Sequence, residues 1–579
     1  MLKRLVRQML VAQVLSALTV SVCLLVDNIM IGRFLGVGAI AAYGLANPIL
    51  LVIGALGTML SAGVQVACGK SLGMGSQEET NRGFTCAVVL AAGVSLAFMA
   101  AVMLFRGPLA SAMGAGASGA LYDDTRGYMA GFIIGAPASM GALVLVPFLQ
   151  MAGQSGLLIA AVLGMTVADI GLDLLNVLVF HGGMFGMGLA SSLSYYVAMV
   201  VGGVYFLSGK CAFRFRPKQI TWNKIAELIA GGVPSVFTMA SSVILIFAVN
   251  RILLDVGGAD AVAAFTVITT FGNAANCVST GMGGVSLTLS GILYNEEDRT
   301  GLRELMRLLI PRAVLLGLGV GAILAAFAPF FAGLFIAEAG DSLDMATLGI
   351  RLFAVGLIPC CVNSALKNAY QGTGRVRLTE VFSLIEGAAL PSLVALICSR
   401  AWGVTGVWLY FALGEALALI GLCGYVWRRS GRVGFDADAF LLLDADFGVP
   451  DESLMETDIH GLDDVAPASE AANAFCLRHG QSARTAGRIA LCIEETALNI
   501  VSHGFTGGGD NHLSIRLLNK GDRWVLRFRD DCRAFDPMQY ISREPGNVGA
   551  GLRLMTALSD EIRYTYSLNL NNLMLVFHG

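Results

Sequence analysis

The chain has 579 residues, of which 56% are hydrophobic and 14% charged, with a formal net charge of −3 at pH 7. A soluble protein would carry about 25% charged residues. This composition, with a mean hydropathy of +0.71, therefore excludes an ordinary soluble protein and indicates a membrane protein. The twelve cysteines include no C-x-x-C pair and no metal-like spacing with histidine, so they are interpreted as small membrane residues or reduced cytosolic thiols.

The first long apolar segment contains a single charge. Between Arg7 and Arg33 lie 25 residues whose only charged side chain is Asp27, enough for a helix to cross roughly 30 Å of hydrocarbon. The segment is too long for the apolar core of a cleaved signal peptide. With the runs that follow, the sequence predicts twelve transmembrane helices. The further runs are 45–70, 85–105, 127–150, 157–180, 184–207, 228–253, 261–290, 312–336, 345–370, 380–400 and 402–427.

The orientation follows from basic residues near the span ends, because Lys and Arg in short loops stay in the cytoplasm. The basic segments all fall on one side if both termini are cytoplasmic, whereas the opposite loops carry scattered arginines such as Arg106 and Arg400. We therefore predict a multi-pass protein of the cell membrane, a bacterial inner membrane, with cytoplasmic N- and C-termini. The basic segments are 3–7, 210–224, 299–312, 375–377 and 428–429.

An internal repeat is suggested by two stretches of similar sequence. Residues 26–44 align with residues 249–266 if one gap is allowed, at an offset of 222 to 223 residues. Each copy follows a long apolar helix, so the repeat predicts two six-helix lobes with a cleft between them, the usual architecture of an alternating-access transporter. The alternative is that small-residue membrane helices resemble one another by composition alone.

The composition changes abruptly near residue 431. Residues 431–579 contain 13 Lys and Arg against 21 Asp and Glu, whereas residues 1–430 contain 25 against 20. The sequence therefore predicts a membrane domain at 1–430, an acidic linker at 431–462 with one short strand, and a soluble domain at 463–579. The predicted orientation places this soluble domain in the cytoplasm, with access to ATP.

Ionisable residues in the apolar spans are candidates for a functional site. An Asp near mid-membrane costs roughly 2.5–3.5 kcal/mol on insertion, so Asp27 is expected to face a cavity or a partner. Asp169 and Asp173 are four residues apart and share one helix face, where neighbouring carboxylates tend to hold a proton or a cation. The alternative is that this pair hydrogen-bonds a neighbouring helix, and Glu386 and Glu415 have the same ambiguity.

Four motifs carry a family resemblance: VDNIMIGRFLG, AAYG, DIGLDLLNVLVFHGGMFGMGLASSLS and AYQGTGRVRL. They resemble the multidrug and toxic compound extrusion (MATE) family, over residues 5–430. The resemblance implies that Asp27 binds the coupling proton or sodium ion. Asp173 matches an Asp of the family's site, Asp169 stands at the place of an Asn, and Ser191 stands at the place of a Thr.

The resemblance also implies a function, namely ion-coupled antiport, and the composition of apolar spans with few acids suits amphipathic or cationic organic compounds as the exported substrates. The extra carboxylate of Asp169 leaves the choice between sodium and protons open. Some members carry a Glu on the seventh helix, where Ser242 stands in this chain, so coupling is expected to be confined to the first lobe.

The soluble domain contains a polar stripe in the segment LCIEETALNIVSHGF, where Glu495, Asn499 and His503 recur every four residues. RFRDDCRAFDP and GNVGAGLRLM follow. A carboxylate, an amide, a second carboxylate and glycines that open a helix can hold Mg²⁺, an adenine amino group and phosphates. Together they resemble the ATPase fold, an α/β sandwich, of histidine kinases and anti-sigma-factor serine kinases, over residues 465–579.

The resemblance implies individual roles. Glu495 would be the general base, Asn499 the Mg²⁺ ligand and Asp530 the adenine contact, while Gly549 and Gly551 would form the phosphate loop and His503 would complete the nucleotide-binding stripe. The family's Asp-x-Gly reads Asp-Asp-Cys at residues 530–532, which leaves open that the fold is kept without ATP binding. His460 is too isolated to serve as the phosphoacceptor of a sensor kinase.

Two functions therefore remain open. The first is an ion-coupled exporter with a cytoplasmic ATP-binding regulatory domain, and the second is a transporter-like receptor that controls a serine kinase of the anti-sigma type. The retained carboxylates favour transport, and the tail lacks the Gly-x-x-x-x-Gly-Lys-Ser/Thr loop of a P-loop pump. Whether the tail is an enzyme stays open. We expect Na⁺ or H⁺, Mg²⁺ and ATP as bound species, and a small-molecule substrate, the bilayer and a protein partner, but no nucleic acid.

Overall fold

A computed structural model describes residues 2–208, 211, 213–334, 341–431, 436–444, 447–505, 511–543 and 549–578. Within these ranges, eleven helices are long and apolar enough to cross a membrane, and a pair bent by 45° brings the number to twelve. The predicted all-α membrane domain is confirmed.

The first lobe contains seven helices, because the span predicted at 127–150 is the bent pair α4 and α5. Short π-helical turns extend α1, α3 and α6 at Ile31–Leu35, Ser111–Ala115 and Asn176–Phe180. The helices are α1 (Leu2–Met30), α2 (Val37–Gly73), α3 (Gln77–Ala110), α4 (Ala120–Ile133), α5 (Ala136–Met151), α6 (Ser155–Leu175) and α7 (Gly183–Leu207).

The second lobe begins with the longest helix, which is broken where Gly258 adopts a positive φ of 65°. A π-helical turn at Ile385–Ala389 joins α13 to α14. The helices are α8 (Trp222–Ala275), α9 (Cys277–Asn295), α10 (Arg299–Ala326), α11 (Ala328–Gly333), α12 (Asp341–Gly372), α13 (Val376–Leu384), α14 (Leu390–Val407) and α15 (Tyr410–Ser430).

The two lobes meet through α2 and α9 at the end of the bundle that carries the C-terminal domain, which we call the domain side. A Cβ on Gly73 would lie 2.5 Å from the carbonyl oxygen of Ile292, so the two backbones are nearly in contact. Farther from the domain side, the Thr288 hydroxyl of α9 donates to Gln65 Oε1 of α2 at 3.2 Å. Helix α1 also crosses between the lobes, because Met9 lies in an apolar cluster formed mainly by the second lobe.

The C-terminal domain is an α/β sandwich, as predicted. Its antiparallel sheet has the strand order β1-β2-β3-β5-β4, and one face packs against α17, α18 and α20. The strands are β1 (Leu454–Ile459), β2 (Leu513–Asn519), β3 (Arg523–Asp530), β4 (Glu561–Ser567) and β5 (Leu570–His578). The helices are α16 (Ala437–Phe440), α17 (Val465–Arg478), α18 (Ala483–Asn499), α19 (Pro537–Arg543) and α20 (Ala550–Leu558).

The segment 431–462, predicted as a linker, contributes to both domains. It contains the predicted short strand, β1, which pairs antiparallel with β2, so the sheet starts before residue 463. The short helix α16 places Phe440 and Leu441 in an apolar cluster with the second lobe. The linker is therefore packed against the bundle along part of its length.

A close helix crossing in the first lobe gives a first prediction. A Cβ on Gly188 of α7 would lie 2.5 Å from the carbonyl oxygen of Tyr128 in α4, and that backbone atom cannot move aside. We expect Gly188→Ala to lower the free energy of unfolding by about 1–3 kcal/mol through overpacking. Thermal unfolding in detergent would measure this. Gly203→Ala, on the same helix but with no atom within 4 Å of the new Cβ, is the control, and equal midpoints for the two variants would contradict the crossing.

Candidate functional site

Four of the residues singled out by the sequence come together inside the first lobe. Asp27 lies on α1, Asp169 and Asp173 lie on α6, and Ser191 lies on α7; all four are buried. Helix α6 packs against both α1 and α7, and the Ser191 hydroxyl lies 3.4 Å from Asp27 Oδ2. The structure thus brings the predicted ion-coupling residues into one group.

The group consists of three carboxyl groups, and among the described residues no basic side chain is paired with them. Among the described residues, Asp27 Oδ1 and both carboxylate oxygens of Asp173 are buried without a hydrogen-bond donor. The charged groups that act on Asp27 are Asp169 and Asp173 themselves. Carboxylates this close in a low-dielectric site cannot all be ionised unless a proton or a cation joins them. Within the described ranges, no three His, Cys, Asp or Glu side chains are arranged as a metal site.

Tyrosines surround the acidic group, and the sequence analysis gave them no role. Tyr43 and Tyr128 meet edge to face with ring centroids 5.2 Å apart. Tyr128 and Tyr195 are both within electrostatic range of Asp27. The signal was present for Tyr43, which belongs to the AAYG motif, whereas Tyr195 is brought near Asp27 only by the packing of α7.

The second lobe contains a different polar network, formed around the two glutamates whose role the sequence left open. Lys367 Nζ lies 2.7 Å from Glu386 Oε2, and the Asn363 amide donates to Glu415 Oε2 at 2.7 Å. A lysine thus accompanies the acids here, unlike in the first lobe. Ser242 is exposed and donates to the carbonyl oxygen of Thr238, so it does not join this network.

The predicted nucleotide site is assembled between α18 and α20. A Cβ on Gly551 would lie 2.7 Å from Glu495 Oε2 and 2.6 Å from Asn499 Nδ2, so a larger residue here would displace the ends of these two side chains. Gly549 lies just before α20, while residues 544–548 of the predicted phosphate loop lie outside the described residues. His503 is exposed and lies in the π-helical turn Ile500–Gly504 that follows α18.

Asp530 is buried at the end of β3, where Asn571 positions it. The Asn571 amide donates to Asp530 Oδ1 at 2.8 Å, and the backbone N–H of Cys532 donates to the same oxygen at 3.0 Å. Burial raises the pKa of the Asp530 carboxyl. The Tyr564 hydroxyl donates in turn to Asn571 Oδ1 at 2.6 Å. Sequence reasoning missed Asn571, because nothing in LNNLMLVF distinguishes it from any polar strand residue.

Cys532, which departs from the family pattern, is accommodated locally. A Cβ on Gly504 would lie 2.9 Å from Cys532 Sγ, so the larger side chain uses the space left by a glycine after α18. Burial raises the pKa of the thiol to about 12, which keeps it neutral. A buried acceptor at Asp530 and an open cradle at Gly551 fit an adenine group and a phosphate chain.

Comparison with family models matches both parts of the chain. The MatE model matches residues 13–175 and 234–390, and the model of the histidine kinase-like ATPase domain matches residues 461–577. The serine/threonine-protein kinase BtrW of Bordetella bronchiseptica is 33% identical over 114 residues, which cover 18% of this chain and 79% of that protein.

Solved structures resemble the membrane domain in fold. A MATE protein crystallised with MaL6 is 20% identical, with 76% of this chain and 97% of that chain covered and a TM-score of 0.69. An outward-facing multidrug resistance MATE family transporter of the MOP superfamily is 21% identical, with 76% and 96% covered and a TM-score of 0.68. A MOP superfamily transporter from Pyrococcus furiosus is 20% identical, with the same coverage and a TM-score of 0.69.

The ion pair in the second lobe gives a prediction about stability. Lys367→Met would leave the buried Glu386 carboxylate without its cation and should lower the free energy of unfolding by up to about 3–5 kcal/mol. The double variant Lys367→Met/Glu386→Leu removes both charges and should recover most of that loss. Thermal unfolding in detergent would compare the two variants. A double variant no more stable than the single one would show that the pair is not what holds this region.

Proposed function

Because this chain belongs to the MatE family of membrane transporters and carries a histidine kinase-like ATPase domain, we propose that it is an ion-coupled antiporter that exports amphipathic or cationic organic compounds. In this proposal the ATPase-like domain is cytoplasmic, binds Mg·ATP and regulates transport. The loops that the positive-inside rule assigns to the cytoplasm lie on the domain side, which supports this orientation. The substrate class rests on composition, because apolar spans with few acidic residues suit amphipathic or cationic organic molecules.

The observation that carries the transport proposal is the buried acidic group of the first lobe. Three carboxylates on α1 and α6 lack a donor for at least three of their oxygens among the described residues. Protonation, or binding of a sodium ion, would remove their repulsion and let α1 pack closely on α6. Loss of the ion would restore the repulsion and separate the two helices. The extra carboxylate of Asp169 could share a proton with its neighbours or help to bind a sodium ion, so the proposal names both ions.

Helix α1 offers a route from this group to the gap between the lobes. Asp27 lies in its distal half, whereas Met9 and Val14 in its domain-side half contact the second lobe. A shift of α1 on ion binding would therefore alter the contact with α9, against which Val14 packs at Gly281. This is the coupling that an exporter needs, because ion occupancy would bias which end of the cleft opens.

The proposal that this domain binds nucleotide rests on residues of α18, of β3 and at the start of α20. Asn499 would hold Mg²⁺, Gly549 and Gly551 would allow the phosphates to approach, and Asp530 would accept a hydrogen bond from the adenine amino group. The bound nucleotide would supply a transferable phosphoryl group. Glu495 would take the proton from an attacking hydroxyl.

A second function is favoured by the similarity to a serine/threonine-protein kinase. In that case the bundle acts as a receptor, and the domain transfers a phosphoryl group to a serine of a protein partner.

The first prediction from this proposal concerns Asp27. We expect Asp27→Asn to abolish gradient-driven efflux from proteoliposomes while the protein stays folded. The reason is that the acidic group loses the α1 carboxylate that contacts Ser191 of α7. Separate sodium and proton gradients would identify the ion. Asp123→Asn, an exposed acid at the start of α4, should transport like the wild type. Full activity of Asp27→Asn would exclude the group as the ion site.

A related prediction concerns the second acid of the group. Asp169→Asn should shift the pH dependence of efflux and raise its sodium dependence.

The next prediction separates binding from transfer in the C-terminal domain. We expect Glu495→Gln to leave Mg·ATP binding nearly intact but to slow phosphoryl transfer by roughly 10²–10⁴, the contribution of a positioned base. Asn499→Ala should weaken Mg·ATP binding itself, because the metal acts in the ground state. Calorimetry on the full chain in detergent would measure Mg·ATP binding. Transfer of labelled phosphate from ATP to a serine-bearing partner protein would measure the reaction. Glu494→Gln, an exposed neighbour, is the control. Wild-type protein that binds no nucleotide at millimolar ATP would identify the domain as a docking module.

A further inference from the structure

The helix-free face of the C-terminal sheet is basic. Arg516 on β2 pairs with Arg527 on β3, and Arg527 pairs with Met574, which pairs with Arg563 on β4. Side chains of paired residues project from the same face, so these arginines form one row across the sheet, and Arg529 lies on the same face. The opposite face is covered by α17, α18 and α20. An arginine row on an uncovered sheet face indicates an interaction surface.

This face binds the acidic loop between α9 and α10 in the second lobe. Arg529 Nη2 lies 2.7 and 2.8 Å from the two carboxylate oxygens of Glu296. Arg516 pairs with Asp298, and the Asp298 and Glu296 side chains are only 6% and 8% exposed. The linker reinforces the attachment, since Arg303 of α10 lies 2.6 Å from Asp438 of α16. The domain is thus fixed to the second lobe by partly buried ion pairs.

The other edge of the sheet contacts the first lobe through the turn between β4 and β5. The Asn569 amide donates to the carbonyl oxygen of Gly153 at 3.2 Å, and the Leu568 N–H donates to that of Met151. On β4, Arg563 donates to the carbonyl oxygen of Met74 at 3.0 Å. The contacted loops, α5–α6 and α2–α3, both belong to the first lobe. The domain therefore bridges the two lobes.

The tip of this turn is inserted between the lobes. Leu568 and Asn569 have φ values of +59° and +61°, the two positive values of a two-residue type I′ hairpin. The Leu568 side chain is 8% exposed and lies in the apolar cluster that includes Met9 of α1 and Ile292 of α9. The conformation of the turn thus directs an apolar side chain into the contact where the lobes meet.

The same turn is linked to the nucleotide site. Asn571 lies on β5, two residues after Asn569. Its side-chain amide donates to Asp530 Oδ1 at 2.8 Å. The Asn571 amide also lies 3.3 Å from the carbonyl oxygens of Cys532 and Arg533. Asp530 Oδ1 already accepts from the Asn571 amide and the Cys532 N–H, so a ligand donor aimed at this oxygen would compete with Asn571 and displace it. The turn would move with it, because only Leu570 separates Asn571 from the tip.

We propose that the β4–β5 hairpin is an intramolecular latch that holds the domain-side ends of the two lobes together, and that nucleotide bound at Asp530 releases it. The proposal rests on the proposed function, since it concerns a transporter whose lobes separate at this end. Separation must break either the ion pairs with the second lobe or the hydrogen bonds of β4 and the hairpin turn with the first lobe. The first-lobe contacts are hydrogen bonds to backbone carbonyl oxygens and include no ion pair, so they are the ones that open.

The experiment uses a variant that keeps the turn but removes its contacts. Leu568→Gly/Asn569→Gly suits a type I′ turn and should give a several-fold rise in efflux by the full chain in proteoliposomes. Labels introduced as unnatural amino acids at Glu78 in the first lobe and Arg307 in the second, both exposed, report the distance between the lobes. That distance should lengthen in the variant. Asp522→Gly, in the exposed β2–β3 turn, is the control and should change neither readout.

A substitution in the first lobe tests the latch from its other side. Gly153→Ala should raise efflux several-fold and lengthen the label distance, because Gly153 has a φ of +72° and a Cβ there would lie 2.5 Å from the backbone nitrogen of Asn569. Gly156→Ala, where no atom lies within 4 Å of the new Cβ, is the control and should change neither readout. A label distance in Gly153→Ala equal to that of the wild type would overturn the proposal.

Mg·ATP tests the release. It should lengthen the label distance in the wild type and produce no further change in Leu568→Gly/Asn569→Gly. An equal response in both proteins, or none in the wild type, would overturn nucleotide control. The label distance could respond as expected in a protein that transports nothing under a sodium or a proton gradient. That result would refute the proposed function but support the latch.

Discussion

Burying a carboxylate away from water is costly, and this constraint organises the interior of the protein. In the second lobe the cost is offset conventionally, because Lys367 pairs with Glu386 and Asn363 donates to Glu415. In the first lobe the carboxylates of Asp27, Asp169 and Asp173 face one another instead. A protein keeps such an arrangement when the missing positive charge is supplied from outside. The two lobes thus differ in how they bury carboxylates, because those of the second lobe have partners within the chain, whereas three oxygens of the first-lobe group have no donor among the described residues.

The same constraint positions the soluble domain. Glu296 and Asp298 lie at the end of the bundle with side chains that are almost fully covered, and the arginines of the sheet cover them. Removing one partner would leave a buried charge, which is why such contacts define a single arrangement even where they add little net stability. The domain therefore has a fixed orientation on the second lobe. The residues proposed to bind nucleotide lie on the helix-covered face of the sheet, opposite this interface.

Strand β5 lies between Asp530 and the bundle. Its residues alternate between the two faces of the sheet, so Asn571 reaches Asp530 on the helix-covered face while Asn572 donates to Ser567 on the face towards the bundle. The preceding turn contacts the first lobe. A short stretch of one strand therefore separates the buried Asp530 carboxyl group from a loop of the first lobe.

The sequence by itself determined the membrane class, the twelve spans, the two-domain organisation and the fold of each part, because hydropathy and residue spacing are local properties. It also selected Asp27, Asp169, Asp173, Glu495, Asn499 and Asp530, since polar residues are conspicuous in apolar or periodic segments, whereas Ser191 was selected through the family resemblance. Only the tertiary structure decided which residues lie beside them. Lys367, Tyr195 and Asn571 became recognisable through helix crossings and strand register, which depend on contacts between residues far apart in the chain. The arginine row and the β4–β5 turn gained meaning in the same way, because the surface that they bind is formed by loops more than 200 residues earlier.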